Sequence, residues 1–356
     1  MPATLSTTTQ ITPPINFVYQ KGLLMAARKR LPFFNGTMAG ELMVHGGSAS
    51  VKWRRIENLA VQSTPLAEVS GTAAAFYGRN AVQPTITDVT VAAQKYGNSV
   101  IMTEELDLFN INTAARDFMD VIGANAAESL NTAMIAVYQA AANVRRANNV
   151  ATDLTIVNAV SANDIKFAYN LLNRNSAQKF TPMGTGSTNI GSTPTRPAYY
   201  GICHPDVEED IRTLTGFQDV VQYGGYMETE PYEFGAVNGV RWSTSELAGL
   251  IAVAGATSVA AGFRPTGTQP NDVYSSFIYG KNALGTIGLG SMHTKDAYEM
   301  YNPKKPQAVE LIFKEKGDVG TDLLNEIAAV SWKAWFAGKI LNDNWLVHLK
   351  TLATRY

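Results

Sequence analysis

The alternation of apolar and polar positions predicts β structure in the first third of the chain. Residues 48–56 (SASVKWRRI) and 85–93 (TITDVTVAA) are rich in β-branched residues and alternate with a period of two. A polar stretch of small residues, 57–84, joins them, so the pattern predicts one long hairpin. A two-stranded hairpin cannot bury both of its faces within itself. We therefore expect it to lie on another domain or on another subunit.

Helical periodicity follows the hairpin. Residues 112–142 carry an apolar stripe with spacings of three to four, which predicts one long helix with Asn112 as its N-cap. A second helix is predicted over residues 162–176, with Ser161 as its N-cap. The stripe of the long helix consists of Phe118, Ile122, Ala126, Leu130, Ala133 and Val137. The apolar side of the second helix carries Phe167, Leu171 and Leu172.

Shorter segments make up the second half of the chain. Residues 199–203 predict a buried strand, and residues 205–214 predict a helix that starts at a proline. Further strands are predicted at 235–244, 273–289 and 308–313.

The last predicted element is a C-terminal hairpin. Residues 327–340 and 345–349 flank the sequence Asn342-Asp343-Asn344, which is a strong turn signal. The alanine-rich segment 327–336 leaves a helix open as the alternative.

Composition narrows the class of protein. A length of 356 residues indicates two or three subdomains, and 46% hydrophobic residues suffice for a sizeable core. Charged residues are only 17%, below the quarter or so of an average soluble domain, which suggests that partners cover much of the surface. A net charge of −1 excludes a dedicated nucleic-acid binder, and no apolar run predicts a membrane span.

The charge is uneven along the sequence. The first forty residues hold Lys21, Arg28, Lys29 and Arg30 and no carboxylate. This pattern is typical either of a solubilising terminal segment or of an arm that lies near a polyanion.

Residues 196–225 concentrate the side chains that could carry chemistry. Cys203 and His204 are adjacent in a predicted strand, so they point to opposite faces and cannot act on each other. Asp206 and Glu208, placed after Pro205, are ordinary residues for the first turn of a helix. We therefore predict no catalytic, cofactor-binding or metal-binding residue, and no enzyme. Cys203 is the only cysteine, so no internal disulfide forms.

The order of several short blocks resembles the major capsid proteins of tailed phages, specifically the family of the coliphage N-four type. The blocks keep their order and spacing from about residue 30 to residue 350. They are residues 66–68, 94–97, 101–103, 199–202, 204–211, 277–285, 331–335 and 340–343.

This resemblance implies an α+β fold of the Hong Kong ninety-seven phage type. It divides the chain into an N-terminal arm, an extended hairpin loop, a peripheral domain with a spine helix at 112–142, a mainly axial domain, and C-terminal strands that return to the body. The ranges are 1–40, 41–100, 101–180, 181–305 and 306–356. The resemblance implies that the hairpin contacts neighbouring subunits. The expected contact residues are Trp53, Arg54, Arg55, Val89 and Val91.

The resemblance also implies function and partners. The chain is expected to assemble with copies of itself, as pentamers and hexamers, into the icosahedral shell of a virion in the host cytoplasm. Packaged double-stranded DNA is the expected contact of the basic arm, through Lys21, Arg28, Lys29 and Arg30. A separate scaffold, a portal and a decoration protein are further expected partners, with no membrane and no cofactor. A shell that encloses protein cargo, like an encapsulin, and a small oligomeric enzyme are the alternatives.

Overall fold

The computed structural model describes a set of separate stretches of the chain. They are residues 32–40, 49–57, 59–63, 82–105, 114–180, 197–223, 232–251, 255, 263, 271–287, 309–314, 324 and 326–356. Helices and strands are mixed along these stretches, so the fold is α+β as predicted.

The described residues form three α-helices, sixteen strands and five short 3-10 helices. The α-helices are α1 (Ala114–Gln139), α2 (Ala162–Arg174) and α3 (Pro205–Arg212). The first eight strands are β1 (Met38–Gly40), β2 (Ser50–Ile56), β3 (Ile86–Ala92), β4 (Gln94–Thr103), β5 (Val144–Arg146), β6 (Tyr199–Cys203), β7 (Gln218–Asp219) and β8 (Glu233–Val237). The others are β9 (Val240–Thr244), β10 (Leu250–Ile251), β11 (Val273–Tyr279), β12 (Leu284–Ile287), β13 (Val309–Lys314), β14 (Ile327–Phe336), β15 (Gly338–Ile340) and β16 (Leu346–Thr351). Short 3-10 helices cover Pro32–Phe34, Ala147–Asn149, Asp153–Thr155, Val220–Gln222 and Asp343–Trp345.

Helix α1 packs on a three-stranded antiparallel sheet with the order β13-β14-β4. Strand β14 alternates between buried and half-buried positions, and its buried side chains share one core with the helix. The pairing of β14 with β4 is ten residues long, from Ile327 opposite Thr103 to Phe336 opposite Gln94. The indole N–H of Trp332 donates a hydrogen bond to Oδ1 of Asn125 on α1, at 3.0 Å.

The predicted stripe of the long helix is confirmed. Its middle residues Ile122, Ala126 and Leu130 are buried, and the rest of the stripe packs against the same core at partial burial. The helix ends at Gln139, shortly before the predicted end at residue 142. The proposed N-cap, Asn112, lies outside the described residues.

An eight-stranded sheet forms the second layer, in the order β5-β16-β11-β6-β9-β8-β7, with β10 beside β11. Its two faces enter different cores. Ile202 and Phe277 pack with α1, whereas Cys203 and Ile278 pack with α2 and α3. Strand β11 is buried at every position because both faces are covered, and the burial includes two serines, Ser275 and Ser276.

The second helix confirms its predicted start and, at Leu171 and Leu172, its predicted apolar side, but not at Phe167. Ser161 caps α2 by accepting a hydrogen bond from the backbone N–H of Asp164. The buried positions are Ile165, Ala168 and Leu172. Phe167 was predicted to be on the apolar side, but it is 44% exposed and lies under the guanidinium of Arg145, 4.5 Å from the ring centre.

The predicted C-terminal hairpin is wrong, and so is its helical alternative. Strand β14 pairs with β13 and β4, whereas β16 pairs with β11 and β5 in the other sheet. The turn at Asn342–Asn344 exists as a 3-10 helix capped by Asn342. It carries the chain from one sheet to the other, since each strand finds its partners in distant parts of the sequence.

A small sheet links these layers to the hairpin. Strand β12 pairs with β1 in parallel and with β15 in antiparallel orientation. Strands β2 and β3 pair over seven residues, which confirms the predicted hairpin strands. Helix α2, placed by the sequence in the range 101–180, shares its core with strands of the range 181–305. The division of the chain into regions stays a prediction.

The imidazole of His348 predicts a pH dependence of stability. It is buried in β16 with its ring tilted against that of Phe277, and its Nε2 lies 2.9 Å from Oγ of Ser275. Its pKa is lowered to about 4, mainly by burial and in smaller part by the charges of Lys350 and Arg146, while Asp153 acts in the opposite direction. Between pH 4 and the ordinary value near 6.5, the unfolded chain binds the proton and the folded chain does not. Stability therefore falls as the pH falls through this window.

The expected contribution is about 3 kcal/mol, lost progressively between about pH 6.5 and pH 4. His348→Gln removes this titration and keeps a side chain that can hydrogen-bond to Ser275. Denaturant unfolding of both proteins across this pH range measures the difference, because carboxylates contribute equally to each. Identical pH profiles would contradict the assignment.

Candidate assembly surfaces

The root of the β2–β3 hairpin packs on the body of its own chain. Val51 and Trp53 point inward and share a small core with Ile287 at the end of β12 and Ala337 after β14. The position of the Trp53 indole leaves no room for a side chain at the glycine of β12. A Cβ on Gly285 would lie 2.7 Å from Cε2 of Trp53, which is too close for two carbon atoms.

An arginine fastens the same face of the hairpin. The Nη1 of Arg55 donates to the backbone oxygen of Leu341 at 3.0 Å. Its guanidinium also pairs with Glu57 at 2.6 Å, and Glu57 accepts a further hydrogen bond from Thr87 on β3. Both strands of the hairpin root are thereby tied to the segment after β15.

This packing corrects one of the expected contact residues. Trp53 is only 5% exposed and is buried by its own chain, so it offers almost no surface to a neighbour. Arg55, Val89 and Val91 lie on the same face because they alternate in register with it. Arg54 lies on the opposite, outward face. The sequence missed this arrangement because the surface that buries Trp53 comes from residues more than 200 positions later.

The outward face of the hairpin is exposed and partly apolar. Ile56 and Ile86 form a cross-strand pair and are 64% and 51% exposed. Beyond this pair, Leu59, Val61 and Val82 are also exposed. Several exposed apolar side chains on one hairpin are a feature of protein–protein contacts.

Charged pairs occupy the remainder of the outward face. The carboxylate of Asp88 forms ion pairs with the guanidinium of Arg54 at 3.0 Å and with the ammonium group of Lys52 at 2.6 Å. The hydrogen bonds from these two cations lower the pKa of Asp88 to about 2. Pairs as exposed as these contribute little to stability.

The segment that resembles an active site has structural roles. Cys203 is buried, and burial raises the pKa of its thiol well above the usual range. His204 caps helix α3: its Nδ1 accepts a hydrogen bond from the backbone N–H of Asp206 at 3.1 Å. No group of three or more potential metal ligands occurs among the described residues.

Asp210 is a buried carboxylate of helix α3. It is only 5% exposed. Its carboxylate accepts hydrogen bonds from the backbone N–H of Thr354 and from the hydroxyl of Tyr356, each at 2.9 Å. Asp210 therefore holds the C-terminus of the chain against α3.

Two further polar pairs escaped the sequence reasoning. Arg241 and Glu233 form a buried ion pair at 2.5 Å between β9 and β8, with Tyr223 donating to the same carboxylate. Ser275 and His348 are within hydrogen-bond distance, as a nucleophile and a base would be, yet both are fully buried in the sheet. Neither pair follows a spacing that sequence could reveal.

Two other expectations concern the basic residues of the arm and the absence of a membrane span. Lys21, Arg28, Lys29 and Arg30 lie outside the described residues. Within the residues that are described, no helix is both long and apolar enough to cross a membrane.

The fold is similar to solved capsid structures of tailed phages. The capsid of Ralstonia phage GP4 matches with a TM-score of 0.62 at 10% identity, over 92% of this chain and 92% of that chain. The head of the Helicobacter pylori bacteriophage KHP40 matches with a TM-score of 0.53 at 12% identity, over 92% and 91% of the two chains. The capsid of cyanophage Pam1 matches with a TM-score of 0.52 at 12% identity, over 92% and 94%.

These similarities cover nearly the whole of each chain, so they concern the complete architecture and not one motif. The chain has the shell fold of the Hong Kong ninety-seven type, as the sequence resemblance implied. No protein-family model matches the sequence. No curated protein matches it either.

The packing of Trp53 yields a prediction about the hairpin root. Trp53→Ala removes the largest side chain between the hairpin and β12, at an expected cost of about 3–5 kcal/mol to the local structure. Amide hydrogen exchange of β2 and β3 should accelerate accordingly. The matched control is Arg54→Ala, the adjacent and outward-facing residue of the same strand, which should change exchange little. Equal effects of the two substitutions would show that the hairpin root does not depend on this packing.

Proposed function

We propose that this chain is the major capsid protein of a tailed phage and that it assembles into the icosahedral shell around double-stranded DNA. One observation supports this most strongly. The fold matches phage capsid chains over about nine-tenths of both chains, with TM-scores up to 0.62 among those compared. The low charged fraction of 17% fits a surface that is largely covered by copies of the same chain.

The mechanism that we propose is geometric. The hairpin root is fixed to its own body through Trp53 and Arg55, so its outward face projects in a defined direction. Ile56 and Ile86 then contact a neighbouring copy, together with the exposed apolar residues farther along the hairpin. Because the two contacting surfaces differ, such contacts are heterologous and close into rings of five or six.

The partners beyond the shell itself follow the same proposal. The basic segment with Lys21, Arg28, Lys29 and Arg30 faces inward and offsets repulsion between packaged phosphates. A separate scaffold and a portal act during assembly in the host cytoplasm, and a decoration protein binds the finished shell. None of these roles requires catalysis or a cofactor.

Microscopy of the native assembly tests the proposal. Particles are purified from host cells in which the phage that encodes this chain is growing. They are expected to be closed, angular shells containing nuclease-protected DNA. Shells that contain protein and no DNA would indicate a cargo compartment, and a small oligomer would indicate an enzyme; either result would overturn the proposal.

The hairpin contact has its own prediction. Ile56→Ser with Ile86→Ser removes exposed apolar surface from the outward face and should abolish or strongly reduce shell formation, measured by sedimentation. Circular dichroism should show an unchanged fold, since neither side chain is buried. Lys52→Gln with Thr90→Ser, on the same face of the same strands, is the matched control and should assemble normally. Normal assembly of the isoleucine variant would refute the contact.

The basic arm predicts a separation of assembly from DNA retention. Replacing Lys21, Arg28, Lys29 and Arg30 by Gln should leave the yield of shells nearly unchanged and lower the DNA protected per shell. The reason is that phosphate neutralisation is a sequence-independent charge effect. Equal losses of shells and of DNA would show that the arm acts in assembly instead.

A further inference from the structure

The two edges of the eight-stranded sheet carry opposite charge. Strand β5 forms one edge and β7 forms the other, and each pairs with a single strand among the described residues. Residues 141–180, which include β5 and α2, hold five lysines and arginines against two carboxylates. Residues 204–223, which include α3 and β7, hold five carboxylates against one arginine. Charge is therefore segregated within a chain whose net charge is only −1.

Helix α2 presents positive charge beside the β5 edge. The helix contacts β5 and β16, and Lys166, Asn170 and Arg174, spaced by four residues, form one exposed stripe along it. Its single carboxylate, Asp164, is buried and pairs with Arg145 at 3.0 Å. Within the described part of the chain, neither Lys166 nor Arg174 forms an ion pair. The exposed stripe is therefore cationic.

The strands at this edge add to the positive charge. Arg146 of β5 and Lys350 of β16 share the one carboxylate of Asp153, each at 2.6 Å. Two cations meet one anion in this group, so positive charge remains in excess.

Helix α3 and strand β7 show the reverse arrangement. Arg212 pairs with Glu208 at 2.8 Å and with Asp219 of β7 at 3.0 Å, which fixes the helix to this edge. One guanidinium serves two carboxylates, so negative charge remains in excess. Glu209 increases that excess, because it is exposed and has no ion pair among the described residues.

Exposed apolar side chains accompany both charged edges. Val221, two residues after β7, is 90% exposed. At the other edge Phe167 on α2 and Leu154 are also exposed, and Leu154 is adjacent to the Asp153 that binds β5. Contacts between proteins combine such apolar residues with a charged and polar rim.

A second copy of the same chain fits both edges. Each copy carries one basic and one acidic edge at opposite ends of a single sheet. A contact between unlike edges is heterologous, so it continues from copy to copy and closes into a ring. A polyanion would match the basic edge and would leave the acidic edge without a partner.

We propose that the β5 edge of each copy contacts the β7 edge of the next copy in the same ring. Lys166 and Arg174 of α2 then face the carboxylates of α3 and β7. Opposite charges select this orientation, since contacts between like edges are repulsive. The proposal rests on the shell function proposed above and adds the surfaces through which neighbours in a ring recognise each other.

Reversal of charge on each edge tests the pairing. Lys166→Glu with Arg174→Glu makes both edges acidic, and Glu208→Lys with Glu209→Lys makes both edges basic. Each double variant should lower the yield of shells roughly tenfold or more, because like charges then meet. The variant with all four substitutions exchanges the signs of the two edges and should recover shell formation.

Shells are counted by electron microscopy after each variant is produced in host cells together with the other head proteins of the phage. Circular dichroism of the unassembled chain checks the fold. Normal yields from either double variant, or no recovery by the folded fourfold variant, would overturn the proposal. The unmodified chain separates this outcome from a failure of the shell function, because a chain without that function forms no shells at all.

A matched control separates the edges from the effect of net charge. Lys281→Glu with Lys339→Glu makes the same change in net charge as the α2 variant, at exposed positions outside both edges. It should assemble normally. A loss equal to that of the α2 variant would attribute the effect to net charge and would overturn the proposal.

Carbodiimide coupling locates the contact directly, because it joins the amine of a lysine to an adjacent carboxylate as an amide without a spacer. Shells assembled from a mixture of isotope-labelled and unlabelled copies should yield peptides in which Lys166 of one copy is joined to Glu208, Glu209 or Asp219 of another. Linkage of Lys166 within one chain, or no linkage to these three carboxylates, would overturn the proposal.

Discussion

The rest of the described fold depends on the way strand β14 is enclosed. One edge pairs with β4 over ten residues, the other edge pairs with β13, and alternate side chains are buried against α1. Ala337, the residue after β14, packs beneath the hairpin. The chain then continues through β15 to β16, which belongs to the second sheet. A single strand therefore fixes the distances between the long helix, the hairpin root and the eight-stranded sheet.

The hairpin shows how the same element can serve its own chain and a partner. Its register places Val51 and Trp53 on one face and Ile56 and Ile86 on the other. Burial of the first face holds the root rigid, which keeps the second face presented in a fixed orientation. A preorganised surface loses less conformational entropy on association than a free loop would. A projecting contact element gains from being anchored in this way.

Residues that look reactive are used here to hold segments together. His204 caps a helix, Asp210 holds the C-terminus, and the Arg241–Glu233 pair joins two strands. The partners of Asp210 lie far away in sequence, whereas the Arg241–Glu233 pair spans eight residues and the cap spans two. The cap belongs to the helix start that its sequence predicted, whereas the roles of Asp210 and Arg241 needed the tertiary structure.

The sequence by itself determined the elements whose signal is local: the stripe of α1, the Ser161 cap, the strand and helix at 199–212, and the alternating strands of the hairpin. Order and spacing of short blocks also carried the resemblance that the fold bears out. Only the tertiary structure decided how the strands outside this hairpin pair, which face of the hairpin is buried, and why β14 and β16 enter different sheets. The physical reason is that periodicity reports which side of an element is apolar, but the surface that covers it comes from residues hundreds of positions away.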